Sequence, residues 1–263
     1  MGLGEDLVLL ALARRRGDVR QDAGLASALV VARLVTLAEE GRIGLNGGRV
    51  VARDAATERT ETAEAGAATQ ASTTAEADLV PVPAFSRDPV FDHVRAAAKG
   101  VSVRELIERR AGRARVVRCV ARLAADGVVR LVPDPSDRGG IDTLIEMPDR
   151  AAVHAAAARL RAIAATSGEL PAEDVAFGAL AQVAGLHRWV LRGPLRMRAR
   201  ARLAKLSEQR PAAQPEPDRT VRAIVRFAVR AIREGAVYRA RREKEVVVST
   251  DGSKQTGMYI GYW

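Results

Sequence analysis

The sequence predicts a mainly α-helical fold, a helical bundle with small β-hairpins. Apolar residues recur every three to four positions over residues 25–37, which is the spacing of one buried helix face. Directly afterwards Ile43 and Leu45 alternate with other residues, as in a strand, and Asn46-Gly47 is a typical two-residue hairpin turn. A long helix that leads at once into a short hairpin is therefore expected near the start of the chain.

The ends of the first two helices are also indicated. Glu5 and Asp6 precede an apolar run at residues 7–11, and carboxylates suit the positively charged N-terminal end of a helix. We therefore interpret them as first-turn residues and not as a catalytic pair. The second helix is expected to stop near Glu40, because Gly41 suits the left-handed conformation at a helix C-terminus.

The rest of the bundle follows from the same periodicity. Five further helices are predicted at residues 88–98, 103–109, 113–125, 149–165 and 171–184. Ser102 is a suitable N-cap for the helix at 103–109, and Glu105 completes a capping box. A second hairpin is expected within residues 128–147, between the third and fourth of these helices.

Composition divides the chain into a helical domain at residues 1–210 and a second unit at 211–263. Within the first, residues 53–80 are predicted to be a flexible insertion, because this acidic stretch is rich in Ala, Thr and Glu and almost without large apolar side chains. The second unit is expected to be a basic amphipathic helix followed by a strand pair at 246–250 and 258–262. That pair could be a self-association edge, a partner-binding strand or simple packing.

Length and composition exclude several classes of protein. With 263 residues, of which 48% are hydrophobic, the chain can bury a substantial core. It has no run of about 18 uncharged apolar residues and no basic signal-peptide start, so we expect neither a membrane span nor export. The single cysteine, Cys119, lies in an apolar helical run and is expected to be a core residue in a reducing cytoplasm.

The chain is strongly basic, with a formal net charge of +10. Such a charge favours binding to anionic membranes or to nucleic acid. Only four of the 42 basic residues are Lys, a bias toward Arg that GC-rich coding would also produce. One array is regular enough to form a face of an amphipathic helix. Its members are Arg219, Arg222, Arg226, Arg230 and Arg233. The competing interpretation is the solvated face of a helix that packs on the core.

Catalytic motifs are not evident. His93, His154 and His187 are far apart in the sequence, and no spacing indicates a metal site, a nucleophile with its base, or a phosphate-binding glycine loop. We therefore expect a protein that is not an enzyme and that needs no cofactor or metal.

Several segments, in their order along the chain, resemble the Golgi phosphoprotein 3 family. They are Leu3-Gly4-Glu5-Asp6-Leu7, an Arg-Gly-containing turn in residues 14–20, Leu37-Ala38-Glu39-Glu40-Gly41-Arg42-Ile43, Asp88-Pro89-Val90-Phe91-Asp92, and Leu123-Ala124-Ala125-Asp126-Gly127-Val128-Val129. The resemblance covers roughly residues 3–205, with gaps. It implies a mostly helical, cytosolic, peripheral membrane protein that binds phosphatidylinositol 4-phosphate. In eukaryotes the family retains glycosyltransferases in the Golgi by gripping their cytosolic tails.

We accordingly predict a peripheral adaptor that binds anionic lipid headgroups, with protein tails or a second copy of the chain as further candidate partners. The abundance of Arg and Ala indicates a bacterial-type member of the family. Counting from the shared segments places the lipid-contacting Trp and Arg of the family on Gln21 and Val30, and its second basic pair on Arg113 and Val116. The resemblance thus implies a headgroup site at Arg113, with two basic residues close by. These are Arg115 and Arg118.

A second class of function is kept open. The segments around Gly41 and Gly127 share the order helix, glycine, strand, which is also the order in winged-helix DNA-binding modules. A recognition helix needs polar side chains that reach base edges. The helix before Gly41 is largely apolar and has Arg33 as its cation, whereas the helix before Gly127 is better supplied. Nucleic acid is therefore the less favoured partner.

Overall fold

The protein is mainly α-helical, as predicted. A computed structural model describes residues 2–15, 23–53, 88–133, 143–146, 150–193, 196–208 and 215–251. Its helices are α1 (Leu3–Arg15), α2 (Ala23–Glu39), α3 (Pro89–Ala96), α4 (Val103–Arg110), α5 (Arg113–Ala125), α6 (Arg150–Ala165), α7 (Ala172–Val183), α8 (His187–Val190), α9 (Arg196–Leu206) and α10 (Glu216–Asp251). Its strands are β1 (Ile43–Asn46), β2 (Arg49–Ala52), β3 (Val101–Ser102), β4 (Arg130–Pro133) and β5 (Thr143–Glu146).

Helix α2 lies at the centre of the bundle. It is strongly apolar, and most of its residues are buried. The elements that pack against it are α1, α3, α4, α5, α7, α10 and β1. A helix that is apolar nearly all round is stable only when it is enclosed in this way. The other helices therefore have to be amphipathic, each with one face toward the core and one toward solvent.

The two sheets are small and antiparallel. Strands β1, β2 and β3 form one sheet in that order, and β4 pairs with β5 in the other. The predicted stop of α2 is confirmed, because Gly41 has a φ of +70°. The predicted turn at Asn46-Gly47 is wrong by one residue, because Asn46 pairs with Arg49 and the loop is Gly47-Gly48. Both glycines have positive φ, as the favoured hairpin turn requires.

Capping residues position the helices around α5. Ser102 is the N-cap of α4, and its side chain accepts a hydrogen bond from the backbone N–H of Glu105 at 3.1 Å. The predicted N-cap is therefore confirmed. Asp88 caps α3 by accepting from the N–H of Val90 at 3.0 Å. Pro171, predicted in the first turn of α7, lies at its N-cap position instead.

A network of ion pairs holds α1, α6 and α7 together. Arg159 of α6 lies 3.0 Å from Asp6, 3.0 Å from Glu173 and 2.8 Å from Asp174. Burial raises the pKa of Asp6 above its usual value, although the hydrogen bond and charge of Arg159 oppose this change. Glu5 and Asp6 lie in the first turn of α1, as predicted, but both are buried and paired with arginines of other helices.

Helix α10 packs onto α2 and α7, and its apolar face joins the same core. The structure contradicts a predicted strand at residues 246–250, because α10 continues through them to Asp251. Residues 236–251 contain neither Gly nor Pro, so each further helical residue gains a hydrogen bond without needing a partner strand. The other predicted strand, 258–262, and nearly all of the predicted insertion lie outside the described residues.

The described helices include none with the length and apolar character that crossing a membrane requires.

Close packing at Gly178 gives a test of this arrangement. A Cβ added to this glycine of α7 would lie 2.6 Å from Leu206 Cδ1 and 3.0 Å from Ile163 Cγ2. We expect Gly178→Ala to lower the free energy of unfolding, because overpacking costs about 1–3 kcal/mol, more than the up to ~1 kcal/mol gained in helix propensity. Urea denaturation measures the change.

Gly4→Ala in α1 is the matched control. Its added Cβ would meet Leu29 Cδ2 at an ordinary 3.6 Å. The control is expected to be neutral or stabilising. An equal loss of stability in both variants would contradict close contact of α7 with α6 and α9.

Candidate functional site

Helix α5 presents arginines to solvent and contains no acidic residue. Arg113, Arg118 and Arg122 are exposed, and Arg118 and Arg122 share one face because they are four positions apart. At a rise of about 1.5 Å per residue, these arginines span roughly 14 Å along the helix. The α5 arginine surface, defined as Arg113, Arg118 and Arg122, is therefore exposed and basic, with Arg118 and Arg122 on one face and Arg113 about half a turn away from Arg122 around the helix.

Arg115, the other arginine of α5, turns inward. Its side chain is 12% exposed, and its Nη2 lies 3.8 Å from Asp88 Oδ1. Burial lowers the pKa of Arg115, and the charge of Asp88 opposes that change. The structure thus separates the three predicted headgroup residues: Arg113 and Arg118 face solvent, whereas Arg115 belongs to an internal ion pair.

Asp88 joins three helices. Its carboxylate accepts a hydrogen bond from Arg33 Nε of α2, caps α3 and faces Arg115 of α5. Burial alone would raise the pKa of Asp88, but the hydrogen bond from Arg33, that from the backbone of Val90 and the charge of Arg115 together lower it. The Asp88 clamp, formed by Asp88, Arg33 and Arg115, therefore keeps an ionised carboxylate between two guanidinium groups.

The remaining charges near α5 are only partly neutralised. Arg122 Nε lies 3.0 Å from the buried Glu5, although the Arg122 side chain is 74% exposed. Arg118 has no ion-pair partner among the residues that the structure describes. Behind these arginines, Cys119 is partly buried against the core, and burial raises the pKa of its thiol. This agrees with the structural role predicted for Cys119.

Two of the positions at which the resemblance implies lipid contacts are apolar core positions here. Val30 is fully buried in α2 and Val116 is 1% exposed in α5. Gln21 lies outside the described residues. The polar surface of α5 is therefore not completed by Val30 or Val116.

The five arginines of the predicted secondary surface on α10 differ in exposure and in their partners, although they are regularly spaced in the sequence. Arg219 and Arg230 are exposed and lie near Glu216 and Glu234 of the same helix. Arg233 is also exposed, within 4.0 Å of Glu208, and Arg226 stacks toward Phe227. Arg222 is 9% exposed and donates to the carbonyl of Leu170. The prediction that Arg222 belongs to this exposed surface is therefore wrong. Its side chain is buried, because the loop before α7 covers it.

Sequence reasoning missed the pairing of Arg33 and Arg115 through Asp88. Arg33 lies 55 positions before Asp88 in the sequence, so local spacing gives no sign of their contact. One signal was present: a single cation on an otherwise buried helix requires an acidic partner.

The structure also bears on the winged-helix alternative and on the histidines. Helix α2 is enclosed, so it cannot enter a DNA groove; α5, followed by the β4–β5 hairpin, is the remaining candidate. His187 is buried, whereas His154 is exposed and His93 contacts Arg110. Within the described ranges, no group of three or more His, Cys, Asp or Glu side chains is arranged to hold a metal.

Comparison with known proteins gives one family. The family model for Golgi phosphoprotein 3 (GPP34) matches residues 3–232. None of the curated proteins matches the chain.

Asp88→Asn tests the clamp while keeping a good N-cap residue. We expect the free energy of unfolding to fall by roughly 1–3 kcal/mol, because two guanidinium groups lose the charge between them. Asp92→Asn, at an exposed position of the same helix, is the control and is expected to change stability little.

The pH dependence of this difference checks the assignment. The pKa of Asp88 is lowered from 3.8 in the folded state, so its stabilisation is complete above about pH 4 and is lost as the pH falls through the folded-state pKa. The difference between wild type and Asp88→Asn must shrink in that range. A difference that is independent of pH would contradict an ionised Asp88.

Proposed function

The chain belongs to the Golgi phosphoprotein 3 family, and on this premise we propose that it is a peripheral membrane protein that binds anionic lipid headgroups through the α5 arginine surface. The observation that carries the proposal is the exposure of Arg113, Arg118 and Arg122 on a helix without acidic residues. The role is one of binding and not of catalysis.

Electrostatics sets the expected strength. A basic residue close to an anionic leaflet contributes about 1 kcal/mol, and this contribution is screened within a Debye length of about 8 Å at physiological salt. Each exposed arginine that faces the leaflet therefore supplies about 1 kcal/mol, which gives reversible and salt-sensitive attachment. Arg115 contributes indirectly, because its clamp with Asp88 joins α5 to α2 and α3 and so holds the helix in place.

Recognition by charge is the form of binding that this surface supports best. Val30 and Val116 are buried apolar side chains, so they offer no donors to an inositol phosphate. We propose that α5 recruits the protein to anionic lipids generally, with phosphatidylinositol 4-phosphate as one member of that class. An adaptor role follows if a membrane-bound protomer also holds a protein tail or a second copy of the chain.

Liposome co-sedimentation tests the surface. We expect Arg113→Gln with Arg118→Gln to weaken binding to anionic vesicles by up to about 30-fold at low salt, since two arginines contribute about 2 kcal/mol. The matched control is Arg219→Gln with Arg230→Gln, which removes the same charge from exposed positions of α10. An equal or larger loss in the control would relocate the surface to α10, and no binding by wild type would refute the proposal.

Lipid composition tests the selectivity. Neutral vesicles, vesicles with a generic anionic lipid, and vesicles of matched charge with phosphatidylinositol 4-phosphate are compared at physiological salt. Equal binding to the two anionic sets is expected from a surface that recognises charge. A clear preference for the phosphoinositide would show a specific pocket that the α5 arginine surface does not account for.

DNA binding is the runner-up, favoured by one observation: α5 is an arginine-bearing helix directly before a β-hairpin. Phosphate contacts by Arg113 and Arg118 would then bind duplex DNA in a strongly salt-dependent way. A gel shift with random duplex at moderate salt measures this, and the absence of a complex counts against it.

A further inference from the structure

We propose that the groove between α6 and α9 is a second ligand site, for a molecule that carries a phosphate group next to an apolar part. The groove has a volume of about 470 Å³, within the usual range for small-molecule sites. Its polar lining consists of Arg161 of α6 with Arg198 and Arg202 of α9. The proposal goes beyond the α5 surface, because different helices form the site.

Three arginines line the groove without a compensating acid. None of its lining residues is acidic, and neither α6 nor α9 contains an Asp or Glu. Across the described part of the chain, no carboxylate forms an ion pair with Arg161, Arg198 or Arg202. Many other arginines do have such a partner, as Arg159 and Arg33 illustrate. The groove therefore has an unbalanced positive charge.

The hydrogen-bonding capacity of Arg202 is largely unused. Its Nε is buried and has no hydrogen-bond partner in the described structure, and its Nη2 reaches the carbonyl of Gly168 only at 3.5 Å. A buried donor without a partner is unfavourable, so a ligand that supplies acceptor oxygens would remove that penalty. The unpaired Nε of Arg202 is a second observation in favour of a ligand, independent of the missing acidic residues.

The placement of the arginines on α9 also favours a bound anion. Arg198 and Arg202 are four positions apart, so their like charges repel on one helix face. Arg198 also lies in the first turn, at the positive end of the helix dipole, where an acidic residue would be stabilising. An anion bound between these side chains relieves both interactions.

The other lining residues define the rest of the ligand. Ala164 and Ala199 lie on the two helices, and Leu191 follows α8. Ala164 and Leu191 are largely buried, so they form an apolar floor beside the guanidinium groups. Several guanidinium groups suit a phosphate better than a carboxylate, because a phosphate monoester offers three acceptor oxygens and close to two negative charges. A phosphate monoester with a short apolar chain fits this combination.

Titration calorimetry with hexyl phosphate tests the site on the full chain. We expect hexyl phosphate to bind more tightly than inorganic phosphate, and Arg198→Gln and Arg202→Gln each to weaken it by about tenfold. Arg198 is exposed, so its variant is expected to fold even if Arg202→Gln does not. The matched control is Arg196→Gln, at an exposed position of the same helix outside the groove lining.

Several outcomes would overturn the proposal. The first is that hexyl phosphate shows no saturable binding at millimolar concentration. The second is that Arg196→Gln lowers the affinity for hexyl phosphate as much as Arg198→Gln does. The third is that hexyl phosphate binds no more tightly than inorganic phosphate. The pair Arg113→Gln with Arg118→Gln must leave the affinity for hexyl phosphate unchanged. A loss in that pair without a loss in Arg198→Gln would place phosphate binding on α5 and refute the groove.

Vesicles containing phosphatidic acid distinguish the two sources of such a ligand. If Arg198→Gln lowers co-sedimentation as well as hexyl phosphate affinity, the groove takes a lipid headgroup with part of its chain. If it lowers hexyl phosphate affinity alone, the ligand is a soluble phosphate monoester. Both results support the site, and they do so whether or not the α5 arginine surface binds membranes.

Discussion

Burial of α2 on nearly every side is the constraint on which the rest of this structure depends. Its apolar residues leave almost no surface for solvent, so helices on all sides must cover it, including α10, which is distant from it in the sequence. Its one cation, Arg33, lies at the edge of the core and forms ion pairs with Asp88 and Glu40. The carboxylate of Asp88 also caps α3 and faces Arg115, so the partner of the partly buried Arg33 also links α2 to α5.

The distribution of carboxylates explains where the positive charge of this basic chain is concentrated. Glu5, Asp6 and Glu173 lie in first turns of helices, where the helix dipole favours them, and there they pair with arginines of neighbouring helices. Helices α5 and α9 contain no acid of their own. Exposed arginines of these helices, such as Arg118 and Arg198, are the ones proposed to meet anions from outside. The two proposed sites are thus separate consequences of one charge pattern, and α1 contacts both α5 and α6.

The chain belongs to the Golgi phosphoprotein 3 family and is mainly helical, and neither fact fixes how the proposed lipid binding would occur. Here Val30 and Val116 are part of the core, and a polar side chain at either position would disturb the packing around α2. A surface that acts through charge tolerates such replacements, because it requires exposed cations and not a fixed pocket. The proposed α5 arginine surface meets that requirement, and the groove between α6 and α9 adds a concave site.

The sequence by itself predicted helices α1 to α7 and the first part of α10, the glycine stop at Gly41, the N-cap at Ser102 and both hairpins, because each depends on side chains only a few positions apart. It did not predict α8 or α9. It also identified the family. Two local predictions were wrong. The hairpin loop is Gly47-Gly48 and not Asn46-Gly47, because the chain offers two consecutive glycines there. Residues 246–250 are helical and not a strand, because α10 continues through them. Only the tertiary structure decided which arginines face solvent. Arg115 and Arg222 turn inward while Arg118 and Arg198 stay outside, because burial and ion pairing depend on partners such as Asp88 and Leu170 that are remote in sequence and adjacent only in the folded chain.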